Sequence, residues 1–191
     1  STSTSCVSPI DFDNDGDLDL FVGGFVKKNE YPLSNKSWLL KNENGRFKDV
    51  SNLLPNNGKL GIVNDAISIN SNSLMVVGEW MKITQLNKNN KGFFEKESNN
   101  GLENTSGWWN TIKAHDFDQD GDLDFIVGNR GNNSMFKASV EHPAKIYFGD
   151  FDSNKDLDAI PCYYNPIEKN YFPKAGLDQL FMQMKGVRKI F

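Results

Sequence analysis

Residues 11–24 read "DFDNDGDLDLFVGG", with an aspartate at every second position from 11 to 19 and an apolar run immediately after. Five like charges this close repel one another unless a cation shares them. The run Leu20–Phe21–Val22, ended by glycine, suits a short buried strand. The pattern recurs as "DFDQDGDLDFIVG" at 116–128 and as "DFDSNKDLDAI" at 150–160. Three copies at one spacing predict a repeat architecture rather than a set of solvated, Asp-rich turns.

Each copy begins D-x-D-x-D-G-x-x-D or a variant of it. Calcium takes six to eight oxygen ligands, and a tight loop can deliver them from positions 1, 3, 5, 7 and 9. The first loop then offers the side chains of Asp11, Asp13, Asp15 and Asp19 with the carbonyl of Asp17, turning sharply at Gly16. The second offers Asp116, Asp118, Asp120 and Asp124 with the carbonyl of Asp122, turning at Gly121. The third offers Asp150, Asp152, Asn154, Asp156 and Asp158, but Lys155 replaces the glycine. Two strong calcium sites and a weaker third are expected. Magnesium, which demands octahedral geometry and keeps its waters, is the poorer candidate. Zinc does not suit a chain with only His115 and His142 and no cysteine pair near them; His115 reads as a strand residue. An EF-hand opens similarly but carries a glutamate at position 12 and runs into a helix. Here position 12 is Val22 or Val127, and a strand follows.

A second element repeats: "LLKNENGRFKDVS" (39–51) aligns with "LNKNNKGFFEKES" (86–98), matching Asn42 to Asn89, Gly45 to Gly92 and Phe47 to Phe94. Asn44–Gly45 predicts a tight hairpin turn. The stretch "DAISINSNSLMVVGEW" (65–80) reads as a worn copy of the acidic element without its aspartates, so no metal is expected at 65–73. Near the end, "AGLDQLFMQMKG" spaces Leu177, Leu180, Phe181 and Met184 for a short helix with an apolar stripe packed on sheets.

The 191 residues carry a net charge of −4, with 14 of the 25 acidic residues in the three loops. The remainder is net basic but scattered, without a stripe for nucleic acid. Two cysteines, Cys6 and Cys162, exclude a disulfide-dense scaffold; they leave open a single bridge between them, with two free buried thiols the heavier reading. No apolar run reaches the roughly 18 residues of a membrane span. The opening "STSTSCVSPI" is not a signal peptide, and the chain reads as a trimmed piece of a longer one.

On the acidic loops and on "VVGEWMKI", "GWWNTIKAHDFDQDGDLDFIVGN" and "IYFGDFDSNKDLDAIPCYY", the sequence resembles the FG-GAP/VCBS repeat family, whose calcium-loop blades also build integrin α-subunit heads. More narrowly it looks like large secreted FG-GAP proteins of Bacteroidetes-type bacteria that often carry an ASPIC-type domain. The resemblance covers nearly the whole chain and implies an all-β fold: β-propeller blades with calcium in the loop between strands, plus the short C-terminal helix. Units near 5–61, 62–109, 110–144 and 145–191 give about four blades, expected as one partial propeller domain completed by blades of the same longer chain.

No nucleophile motif or phosphate-cradling loop stands out. Glu79–Trp80 reads as blade packing. Trp108–Trp109 offers the first candidate for ligand stacking, with packing the heavier alternative, and Asn129–Asn132 a weaker one. The expectation is a non-enzymatic, calcium-stabilised binding or scaffold module contacting protein or glycan, extracellular or at the cell surface, with the periplasm as the alternative. Millimolar external calcium fills modest sites that cytosolic levels leave empty. The competing expectations are part of a calcium-dependent, lyase-like enzyme acting on polysaccharide, and a plain spacer in a surface protein.

Overall fold

The computed structural model describes residues 2–186. They divide into two compact units, one of the chain up to Lys27 with Leu33–Asn129, the other of Lys28–Pro32 with the chain from Arg130 onward. Each is all antiparallel β-sheet apart from short helical turns and one helix.

The first unit opens with a four-stranded meander: β1 (Thr4–Ile10), β2 (Asp19–Gly24), β3 (Trp38–Glu43) and β4 (Arg46–Asp49). The acidic loop 11–18 joins β1 to β2. Asn44 and Gly45 join β3 to β4 with φ of 54° and 84°, the double left-handed turn that matches strand twist. Next come β5 (Ile62–Asn70), β6 (Ser73–Met81), β7 (Thr84–Lys88) and β8 (Phe94–Lys96). A hairpin of β9 (Gly107–His115) and β10 (Asp124–Asn129), joined by the second acidic loop, adds to β6 through Glu79–Trp108 and Met81–Gly107.

Strand β6 explains the apolar run "LMVV". Leu74 and Val76 face one core with Ile10, Phe21, Leu39, Val63, Leu86 and Phe94, drawn from both sheets. Met75 and Val77 face a second core with Ile112, against which Trp109, Phe125 and Val127 pack. Alternating side chains of one strand therefore enter two cores, so neither face is polar. Fully burying Phe21, Leu39, Leu74 or Leu86 stabilises the fold by about 1.5–3 kcal/mol each. Gly78 is demanded by close strand approach, since a Cβ there would lie 1.8 Å from the Ile62 carbonyl oxygen.

The second unit holds β11 (Lys145–Gly149), β12 (Asp158–Asn165) and β13 (Asn170–Pro173), with the third acidic loop between β11 and β12. The expected helix is present as α1 (Leu177–Gln183). Its stripe is only partly engaged: Met184 just beyond it is buried, but Leu177 is 65% exposed. No sheet closes on itself among the described residues.

Two sequence alignments need correction. Residues 65–70 are not the remnant of a loop but lie inside β5, whose hairpin to β6 turns at Ser71–Asn72. Asp65 works there as a strand-to-strand tie, accepting from the Thr111 hydroxyl at 2.8 Å and the Ile112 amide at 3.0 Å. Phe47 and Phe94 also differ. Phe47 pairs across from Asn42 and is 50% exposed, whereas Phe94 pairs across from Lys88 and is 2% exposed. The aligned partners, Asn42 and Lys88, are one position out of step, and a one-residue slip sends a side chain to the opposite face.

Candidate metal centres

All three acidic loops are built by the same hydrogen bonds. The first aspartate accepts the amide of position 6: Gly16 to Asp11 at 3.3 Å, Gly121 to Asp116 at 3.0 Å, Lys155 to Asp150 at 2.9 Å. The fifth side chain accepts the amide of position 7: Asp17 to Asp15 at 3.2 Å, Asp122 to Asp120 at 3.0 Å, Asp156 to Asn154 at 2.6 Å. The ninth aspartate reaches back to the amide of position 2: Phe12 to Asp19 at 3.0 Å, Phe117 to Asp124 at 2.9 Å, Phe151 to Asp158 at 3.2 Å. The backbone turns left-handed at position 6 (Gly16 93°, Gly121 99°, Lys155 71°) and also at position 4 (Asn14 60°, Gln119 64°, Ser153 60°).

This folding gathers carboxylates. One oxygen each from Asp11, Asp13 and Asp15 lie within 4.8 Å of one another, as do oxygens from Asp116, Asp118 and Asp124, and from Asp150, Asp152 and Asp158. Oxygens sharing a calcium at 2.3–2.6 Å stand at most about 5 Å apart, so each trio fits one ion. A stronger sign is the set of buried carboxylate oxygens with no hydrogen-bond partner: Oδ1 of Asp11, Asp13 and Asp17 in the first loop and of Asp152 in the third. A buried polar atom left unsatisfied is costly, and a hard cation satisfies it. The residues therefore fit a divalent ion.

The remaining expected ligands have other visible duties. Asp120 and Asn154 serve the turn as described. Asp19 is fully buried, with its second oxygen taken by the Asn42 amide at 2.8 Å. Burial pushes the Asp19 carboxyl above the ordinary aspartate range, against the pull of those two amides. Asp17 is raised by desolvation and by the neighbouring charges of Asp15 and Asp13. Asp15 is lowered, first by the Asp17 amide.

Sequence reasoning missed a cation of the chain's own. Lys41 on β3 donates its ammonium to Asp13 and lies 3.5 Å from Asp15. Bonding to Asp13 raises the lysine's pKa. Lys88, its aligned counterpart on β7, donates to the Phe12 carbonyl of the same loop. The third loop has a different brace, the Gly186 amide after α1, which donates to Asp152 at 3.1 Å.

The aromatic candidate is occupied with packing. Trp109 lies against the second core and donates its indole N–H to the Thr105 carbonyl at 2.8 Å. Trp108 is half-buried with its ring 5.3 Å from that of Trp80. His115 ends β9, as a strand residue should. Cys6 and Cys162 are free thiols, both raised by desolvation. Among the described residues no helix is long and apolar enough to cross a membrane. No protein-family model, no curated protein and no solved structure matches the chain.

Proposed function

We propose that the chain is a non-enzymatic, calcium-stabilised module of FG-GAP-type propeller blades that presents loops for protein or glycan contact outside the cell. One observation carries the reading: the same acidic hairpin is built three times, and buried carboxylate oxygens are left without protein partners in two of the copies. Within the first unit, the antiparallel sheets and the burial of β6 on both faces support blades packed side by side.

Asp11, Asp13 and Asp15 would hold the first ion, Asp116, Asp118 and Asp124 the second, and Asp150, Asp152 and Asp158 the third. A bound calcium supplies positive charge that turns carboxylate repulsion into cohesion. The chain's contribution is rigid placement. Asp19, Asp124 and Asp158 start β2, β10 and β12, so fixing a loop fixes the strand that leaves it.

Calcium at a hundred times its Kd adds about 2.7 kcal/mol per site. For a chain of this size that raises Tm by roughly 5–10 °C for each filled site. The expected result is a large drop in Tm on chelation, reversed by calcium. An unchanged Tm, on protein shown by elemental analysis to have held calcium and lost it, overturns the reading.

A further inference from the structure

We propose that Lys41 is a built-in competitor for the ion of the first loop, so that this loop fills only after the second; this rests on the calcium reading above. The ammonium of Lys41 bonds Asp13 and stands 3.5 Å from Asp15, two of the three carboxylates that converge there. Lys88 adds a second ammonium on the Phe12 carbonyl. The second loop has the same aspartate spacing, yet among the described residues its carboxylates pair with no lysine or arginine. It is an internal control for the first.

A divalent ion and an ammonium drawn to the same carboxylates repel each other at this range. The ion binds at full strength only when Lys41 gives up its charge-assisted hydrogen bond and swings away on its four-carbon stem. The site is not closed by this. Oδ1 of Asp11, Asp13 and Asp17 stay buried without partners while Lys41 is in place, so one ammonium satisfies only part of the loop. Lys41 thus holds the ion-free loop together and sets a higher calcium threshold for it. Breaking one charged hydrogen bond corresponds to about a ten- to hundredfold loss of affinity.

The test is a calcium titration of the full chain followed by amide NMR, reading Gly16 for the first loop and Gly121 for the second. In the wild type, Gly121 should saturate at calcium concentrations at least about tenfold below Gly16. Lys41→Met, which keeps the stem and removes the charge, should close that gap, and Lys41→Arg should preserve it. Lys41→Gln serves if the methionine variant folds poorly. With chelator present, removal of the charge should lower Tm, because Asp13 and Asp15 lose their counter-ion. The proposal is overturned if the two amides saturate together in the wild type, or if the gap survives in both uncharged variants. It also falls, with the calcium reading intact, if Gly121 responds and Gly16 never does in any variant. Silence of both amides removes the calcium reading itself.

Discussion

Lys155 is the one residue that holds the left-handed sixth position of an acidic loop without being glycine, at φ 71°. At the corresponding Gly16 and Gly121, a Cβ would meet no atom within 4 Å. The cost at Lys155 is therefore local backbone strain, not collision. A left-handed L-residue costs about 1–2 kcal/mol. Lys155→Gly recovers this, less about 0.4–1 kcal/mol for the freer unfolded glycine. The net gain of roughly 1 kcal/mol should appear as about fivefold tighter calcium binding, since the ion binds only the ordered loop. Lys155→Ala is the necessary partner, because it removes the ammonium and keeps the strain. In an amide-resolved calcium titration read at Asp156, the glycine variant should bind about fivefold tighter than the alanine variant. Gly121→Ala should shift the second loop by a similar factor in the opposite direction. If glycine and alanine at 155 titrate alike, backbone strain does not limit the third loop and the reasoning is wrong.

Asp49 accepts from the Ser51 amide at 2.9 Å, from the Ser51 hydroxyl and from Lys36 at 3.1 Å; desolvation opposes these bonds, but together they hold its pKa below the ordinary 3.8. A lowered carboxylate stabilises above the unfolded pKa and stops doing so as pH falls through the folded one, so Asp49→Ala should cost less than about 1 kcal/mol at neutral pH, this exposed pair being screened by solvent, and the difference should shrink as pH falls below the ordinary 3.8 in urea titrations. Gly78→Ala should cost about 3 kcal/mol, visible as a Tm lower by roughly 6–12 °C, because its Cβ meets backbone that cannot yield; a near-wild-type Tm would contradict the strand spacing.

The acidic loops were legible because spacing, charge and glycine all point one way, and each leads into a strand as "LFV" and "FIV" suggest. The left-handed fourth position was not, because Asn14, Gln119 and Ser153 share no residue type that announces it. The duty of the ninth aspartate was hidden for another reason: ligand and backbone acceptor look identical in sequence. Residues 65–73 misled because an apolar strand followed by Gly78 imitates the end of an acidic repeat, while the stretch is the end of β5, the hairpin turn and the first residue of β6. Lys41 was invisible because its partner Asp13 is 28 residues away, a distance only tertiary folding spans.

The reach of Asp19, Asp124 and Asp158 back to the second residue of their own loops makes each nonapeptide a self-clasping part. Much of its shape is written within nine residues, and the braces from neighbouring strands and from the turn after α1 are added to it. Such a part can be copied along a gene into any hairpin whose strands stand at the right separation, arriving already bent. The third copy shows the tolerance of the design: it has exchanged its glycine for lysine and one aspartate for asparagine, and the clasp is still fastened.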